Sequence, residues 1–468
     1  MIDQRAMRHI LAAIILWSVS STVLGQAAKP FKIGDLTVSG SLRVRWEGWD
    51  WFQSQAANGD YNFWGNLLRV AVGQEHARWD WQAEGAAPLL LNLPSDAVAP
   101  QPQGQLGLGA NYFAANGRQN GSLFLKQGFV RFKGIGSPAN SLRLGRIEFI
   151  EGMESVPKNA VLATLKRSRI AHRLVGNFGF THVGRSFDSL QFVRNTPADN
   201  LMLLVGRPTE GVFKLNGNGQ LNINVYYGAY TRSLHRGSKK ESKGEFRVFG
   251  LHYHDRRNVL KTDNRPLPLR SADNASLQVA TIGGHYLRTL ELGPGAADLL
   301  AWGAWQTGRW GRLDHQAGAV ALEAGYQPNW PLLKPWVRLG YFRSSGDRDP
   351  RDSRHGTFFQ VLPTPRIYAR FPFYNSMNSE DGFAQLTIRP HKRWSIQSEL
   401  HQLWLGRGSD LWYQGGGAFQ DNVLGFASKP SAGGVPSRPS GTLTPTGSCR
   451  FARPSPFIMP GRWGTESC

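Results

Sequence analysis

The chain has 468 residues, with 54 Lys and Arg against 33 Asp and Glu, a formal net charge of +21, and only two cysteines. Both cysteines, Cys449 and Cys468, sit near the C-terminal end, so a disulfide scaffold, a zinc cluster or a redox pair cannot organise the body of the protein. The positive surplus suits an anionic partner, but the arginines are spread along many short segments rather than gathered on one helix, which excludes nucleic acid as that partner.

In chain order, Arg5 and Arg8 precede the short apolar run Ile10 to Trp17, and small residues follow through Ala28. A basic start, a short apolar centre and a small-residue end are the marks of a secretory signal peptide. Residues 1–28 are read as that signal, cleaved between Gly25 and Ala28. No later run reaches the length of a membrane-spanning helix.

The body then alternates. In Leu36 to Glu47, the residues Leu36, Val38, Leu42, Val44 and Trp46 share one face, and Thr37, Ser39, Ser41, Arg43, Arg45 and Glu47 share the other. The same period recurs where Leu68, Val70 and Val72 oppose Arg69, and where Trp79, Trp81 and Ala83 oppose Asp80 and Glu84. It recurs again around Arg131, Arg143, Glu323 and Arg389. About 16 strands of the ~10-residue length used by membrane barrels can be placed. Trp and Tyr gather near strand ends: Trp46, Trp49, Trp51, Trp64, Trp302, Trp310, Trp330, Trp336, Trp394, Trp404, Trp412 and Tyr413. Amphipathic rings in such places form the girdles of a transmembrane barrel. The long polar stretches Pro88 to Asn120, Leu234 to Gly244, Lys261 to Asn274 and Gly346 to Ser379 are expected as outer loops. From Lys429 onward proline recurs every few residues and alternation stops, which argues against central strands.

The fold expected is therefore all-β: a transmembrane antiparallel barrel over residues 31–428, followed by a non-barrel tail, 429–468, that reads like the product of a frameshift. With apolar faces in lipid, the charged faces line a lumen. Arg43, Arg45, Arg69, Arg78, Arg131, Arg143, Arg338 and Arg389 are the pore-lining candidates, and Arg146 joins them if Gly145 marks a bulge. Guanidinium groups stay charged at any relevant pH and match carboxylates in shape. Glu47, Asp80, Glu84, Glu148 and Glu323 are the tempering acids, pairing with arginines so that the wall does not hold its cargo too tightly. No nucleophile elbow or zinc-protease motif is present. His252 and His254 share a strand face and read as a girdle or lumen pair. Asp347, Asp349 and Asp352 read as a solvated loop rather than a calcium site. No enzyme, metal or cofactor is expected.

Several segments resemble the bacterial alginate export family of outer-membrane proteins, in a branch not specific for alginate. They are Leu142-Arg143-Leu144-Gly145-Arg146, Leu400-His401-Gln402-Leu403-Trp404, Gly346-Asp347-Arg348-Asp349, and the run from Gly356-Thr357-Phe358-Phe359 to Pro363-Thr364-Pro365-Arg366. The resemblance implies an 18-stranded barrel with an arginine-rich, anion-selective pore in the bacterial outer membrane. It implies passive passage of anionic or hydroxylated solutes such as oligosaccharides. The partners implied are an anionic polysaccharide or small anionic solute, outer-membrane lipid with lipopolysaccharide, and the barrel assembly machinery. A general channel for small organic acids is the alternative; an outer-membrane enzyme or adhesin is a more distant one. Ile147-Glu148-Phe149 stands where the family commonly carries further arginines, which sets this chain apart from alginate itself.

Overall fold

The computed structural model describes residues 22–24, 31–50, 57–100, 104–235, 242–369, 374–391, 394–431 and 444–451. The expected signal peptide lies outside these, apart from the backbone of Thr22–Leu24. Among the described residues there are sixteen strands of eight residues or more. They are β1 (Leu36–Asp50), β2 (Asp60–Glu75), β3 (Trp79–Leu91), β4 (Phe124–Lys133), β5 (Asn140–Ile147), β6 (Phe187–Asn195), β7 (Asp199–Pro208) and β8 (Ile223–His235). Then follow β9 (Ser242–Asp255), β10 (Leu277–Leu292), β11 (Gly295–Trp310), β12 (Leu313–Pro328), β13 (Trp336–Ser344), β14 (Ser379–His391), β15 (Trp394–Leu405) and β16 (Thr444–Phe451).

Each strand pairs antiparallel with the next, from Leu42↔Leu68 between β1 and β2 to Ile396↔Cys449 between β15 and β16. The other edge of β1 carries the short strands Phe31–Ile33 and Thr22–Leu24. The result is an antiparallel barrel. Within the stretch read as a non-barrel tail, Thr444–Phe451 runs beside β15, with Pro445 opposite Leu400.

The two faces of the wall are inverted relative to a water-soluble sheet. Leu144, Ile282, Leu322 and Leu339 are 55–62% exposed, whereas Arg247, Asp298, Glu323 and Arg338 on the inner face are at most 5% exposed. Apolar side chains outside and charges inside suit a wall whose outer solvent is hydrocarbon, where only a closed set of backbone hydrogen bonds is tolerated. The girdle divides. Trp64, Trp79, Trp305 and Trp394 stand on the outer face and are exposed. Trp302, Trp310 and Trp336 are buried inside, and Trp49 stacks on the inward Tyr61 with ring centroids 6.5 Å apart. Their indole bodies fill the lumen rather than meeting lipid.

Connections alternate between the two ends. One end has tight turns such as His76–Arg78 and Gly293–Pro294; the other has the long stretches after β3, β5, β7, β9 and β13. Of the expected outer loop Leu234 to Gly244, residues 236–241 lie outside the described residues, and its flanks, with Leu234 paired to Gly244, sit at the tight-turn end of β8 and β9 rather than at the long-loop end. The connection that the alternation pattern gave no hint of is the longest structural insert: residues 148–186, between β5 and β6.

Candidate functional site

Residues 148–186 cross the inside of the barrel. A short helix, α1 (Ala160–Leu165), begins where Asn159 Oδ1 accepts the backbone N–H groups of Val161 and Leu162 at 3.0 and 3.1 Å. It runs directly into a π-turn, Lys166–Ile170. The wider turn lets neighbouring cations aim at different walls. Lys166 Nζ meets Glu245 of β9 at 2.8 Å, and Arg169 Nε meets both carboxylate oxygens of Glu323 of β12 at 2.9 Å. Arg173 joins Glu323 at 3.4 Å and lies over the rings of Tyr368, Trp302 and Phe342.

Further contacts add to the hold on β9 and reach β1, β2 and β4 on the other side of the barrel. Arg247 of β9 holds Glu151 and Glu154 at 2.9 Å each. Glu148 pairs with Arg69 of β2 at 2.8 Å and Lys126 of β4 at 3.2 Å. Burial would raise the Glu148 carboxyl, but Lys126 and Arg69 overcome it and hold the group at about 2. Arg43 of β1 donates to the carbonyl oxygens of Gly179 (3.0 Å) and Thr181. A segment bonded to β1, β2, β4, β9 and β12 can only be a traverse of the lumen. Buried charges of this kind are retained only where each finds a partner.

Arg185 ties this segment to two others. Its guanidinium is fully buried and donates to four carbonyl oxygens: Gly176 (3.0 Å), Leu362 (2.8 Å), Gly416 (3.2 Å) and Ala418 (3.1 Å). No carboxylate is paired with it among the described residues, and burial pulls its pKa down to about 9. At the loop end, Asp410 accepts from the Asp347 N–H at 2.8 Å and from the Thr357 hydroxyl at 2.6 Å. Asp347, Asp349 and Asp352 each accept a backbone N–H two residues ahead, so their carboxylates close local turns.

The predicted arginines fall into distinct environments. Arg45 faces inward and pairs with Glu47; Arg69 binds Glu84 as well as Glu148; Arg131 binds Asp80 with Nε 3.0–3.1 Å from the carboxylate; Arg338 bridges Asp298 (3.1 Å) and Glu323 (2.9 Å). All five tempering acids are thus engaged from inside. Arg143 faces inward over the Phe129 ring at 4.6 Å.

Three placements differ from expectation. Arg78 lies in the exposed turn between β2 and β3, one residue before the wall resumes. Arg389 lies at the exposed tight-turn end of β14, where its N–H donates to Leu333 O at 2.6 Å. Arg146 is on the outer face, bound to Asp188 at 2.7 and 2.8 Å. Gly145 is no bulge: the register Leu144↔Val130, Gly145↔Phe129, Arg146↔Gly128 is unbroken. Its φ is +130°, and a side chain there would come within 2.8 Å of Phe129 Cα, so glycine serves a close strand approach. His252 and His254 also face outward, on either side of buried Tyr253.

One group of lumen cations is left short of acids. Among the described residues Arg43 has carbonyl partners only. Arg366, from the connection after β13, lies over the Phe180 ring at 5.1 Å and has no ion pair among the described residues. Burial lowers its pKa, with Glu47 and Arg45 as the charges that act on it. Arg43, Arg45 and Arg366 therefore share a single carboxylate, Glu47. Arg366, Arg169, Arg173 and Arg185 were not among the predicted site residues. The run Lys166-Arg167-Ser168-Arg169 to Arg173, dense in cations yet without period-two alternation, was the available signal for a charged insert.

The model of the alginate export family matches residues 114–427. The chain belongs to the alginate export family. Members of this family are outer-membrane channels for solutes and not enzymes. No curated protein sequence matches the chain. Among solved structures, OpdK of Pseudomonas aeruginosa, determined with vanillate, is similar at 9% identity with a TM-score of 0.51, over 81% of this chain and 87% of that one. OccK2 (OpdF) of the same organism is similar at 8% identity with a TM-score of 0.50, over 81% of this chain and 84% of that one. At such identities the likeness is one of fold alone: a large antiparallel β-barrel.

Proposed function

We propose that this family member passes small anionic solutes by diffusion along the β1 side of its lumen, using Arg43, Arg45 and Arg366 as the contact groups. The observation that carries this is the charge imbalance there: three guanidiniums to one carboxylate, with Arg43 and Arg366 outside any ion pair among the described residues. Elsewhere in the lumen most arginines are neutralised by acids and act as wall and anchor; Arg185 is enclosed by four carbonyl oxygens, and Arg143 lies over the Phe129 ring. Cations left over in a low-dielectric passage raise the local anion concentration and repel cations. The Phe180 ring beside Arg366 offers a flat apolar face to the same solute.

Size selection favours small acids, or short acidic saccharides, over a polymer. The insert 148–186 is held on several walls, and a long chain needs a continuous wide path past it. Passage is passive and needs no cofactor. Liposome swelling tests the reading. A sugar acid is expected to enter faster than the neutral sugar of the same size, and Arg43→Ala with Arg366→Ala should erase that advantage. Equal rates for acid and neutral sugar in the unaltered channel would refute it.

A further inference from the structure

The outer wall carries a polar site that solute passage does not use. At the loop end of β6, β7 and β8, Asp188, Arg207, Gln220, Asn224 and Tyr226 line a pocket of about 300 Å³. It opens on the lipid side: Val205 and Tyr226, on the same face as Arg207, are 49% and 45% exposed, while Leu204 and Val225 are buried. Directly below lie the exposed apolar side chains Leu190, Leu203, Phe246 and Val248. The pocket thus sits where an apolar belt gives way to polar surface.

Its charge is positive. Asp188 is already taken by two bonds from Arg146 and one from Gln220 at 3.2 Å. Arg207 donates from Nε to Asn224 Oδ1 at 2.9 Å and has no ion pair among the described residues, which leaves the terminal nitrogens of its fork for a ligand. Arg256 is exposed just beyond the strand end, where its N–H bonds Asn222 O at 3.0 Å. His252 packs on Tyr226 with ring centroids 6.0 Å apart, and His254 pairs with Asn224 in register.

We propose that this pocket binds the phosphorylated sugar headgroup of a lipopolysaccharide molecule in the outer leaflet. A guanidinium fork and a second arginine suit a sugar phosphate. The side-chain amides suit its hydroxyl and amide groups, the Tyr226 ring suits the face of a pyranose, and the apolar belt below suits its acyl chains. A zwitterionic phospholipid would bring an ammonium group toward Arg207 and Arg256 and offer nothing to the amides. The inference rests on the outer-membrane placement of the barrel and not on the ion path, so loss of anion selectivity would leave it standing.

The test uses the full-length barrel in detergent, titrated with fluorescent lipopolysaccharide. Saturable binding of one molecule is expected, at least tenfold weaker for Arg207→Glu and for Arg256→Glu, and similarly weakened for dephosphorylated lipopolysaccharide. Arg207→Gln, the milder change, should fall between. Arg288→Glu, on the outer face of β10 toward the tight-turn end, should bind as the unaltered protein does. Heat-modifiable gel migration checks that each variant is folded. Equal binding by folded Arg207→Glu, equal binding of the dephosphorylated lipid, or full displacement by inorganic phosphate at matched concentration would each overturn the proposal.

Discussion

Replacing Glu323 with Gln tests the lumen insert most sharply. The substitution keeps the shape of the side chain and removes its charge. Arg338 retains Asp298 at 3.1 Å, but Arg169 and Arg173 lose their shared carboxylate; among the described residues they keep aromatic rings and carbonyl oxygens, with the Glu399 carboxylate acting on Arg169 from further off. Breaking a buried pair from one side costs about 3–5 kcal/mol, because the remaining charge is stranded. The ladders of β11, β12 and β13 do not depend on Glu323, so the cost falls on the anchorage of residues 148–186 and not on the barrel. At ~1.4 kcal/mol per factor of ten, the ratio of detached to docked insert should rise about 10²-fold or more. Trypsin reads this population directly, since cleavage of a transiently opened segment tracks its equilibrium opening. Cuts after Lys166 and Arg169, both buried in the docked insert, should accelerate by a comparable factor, accompanied by higher and noisier single-channel conductance. If folded Glu323→Gln is cut at those bonds as slowly as the unaltered protein, with the same conductance, the charge network is not what holds the insert.

Three further outcomes follow from the geometry. Burial, with help from the Asp410 carboxylate and against the Asp349 N–H, lifts Asp347 from 3.8 to about 6; a raised carboxyl contributes stability fully below 3.8 and loses it as pH rises through about 6, so proteolysis of the 345–378 connection should increase over that window and lose its pH dependence in Asp347→Asn. Leu144→Arg puts a charge on the lipid face and should cost ~2–4 kcal/mol in assembly at mid-bilayer depth, whereas Arg143→Leu, one position away and facing the lumen, should leave the urea midpoint of folding in vesicles nearly unchanged; equal effects would invalidate the inside–outside assignment. Gly145→Ala forces a side chain against Phe129 Cα at a φ of +130°, and the heat-modifiable folded band should be reduced or lost.

The wall was legible because its two solvents differ. Lipid on one side and a charged lumen on the other impose period-two alternation, and Arg43, Arg45 and Glu47 against Leu42, Val44 and Trp46 display it without help from the rest of the chain. Alternation does not locate strand ends, so it places Arg78 and Arg389 in the lumen although one is in a turn and the other at an exposed end. It also could not decide a single residue's side once a bulge was allowed, and Arg146 went outward. Tryptophan near a strand end signals an aromatic but not a face, so Trp302 and Trp336 read like Trp64. The insert stayed hidden for a deeper reason. Arg169 and Glu323 are 154 positions apart, and nothing local marks them as partners. The acid shortage around Arg43 emerges only when Arg366 is brought beside β1.

The central claim is that unneutralised arginines on the β1 side make the lumen anion-selective. The reversal potential of the full-length channel in a planar bilayer under a potassium chloride gradient tests it most directly. The account predicts the sign of chloride preference for the unaltered protein, and a shift toward or past zero for Arg43→Glu with Arg366→Glu. Potassium preference in the unaltered channel, or an unmoved reversal potential in the folded double variant, would contradict it.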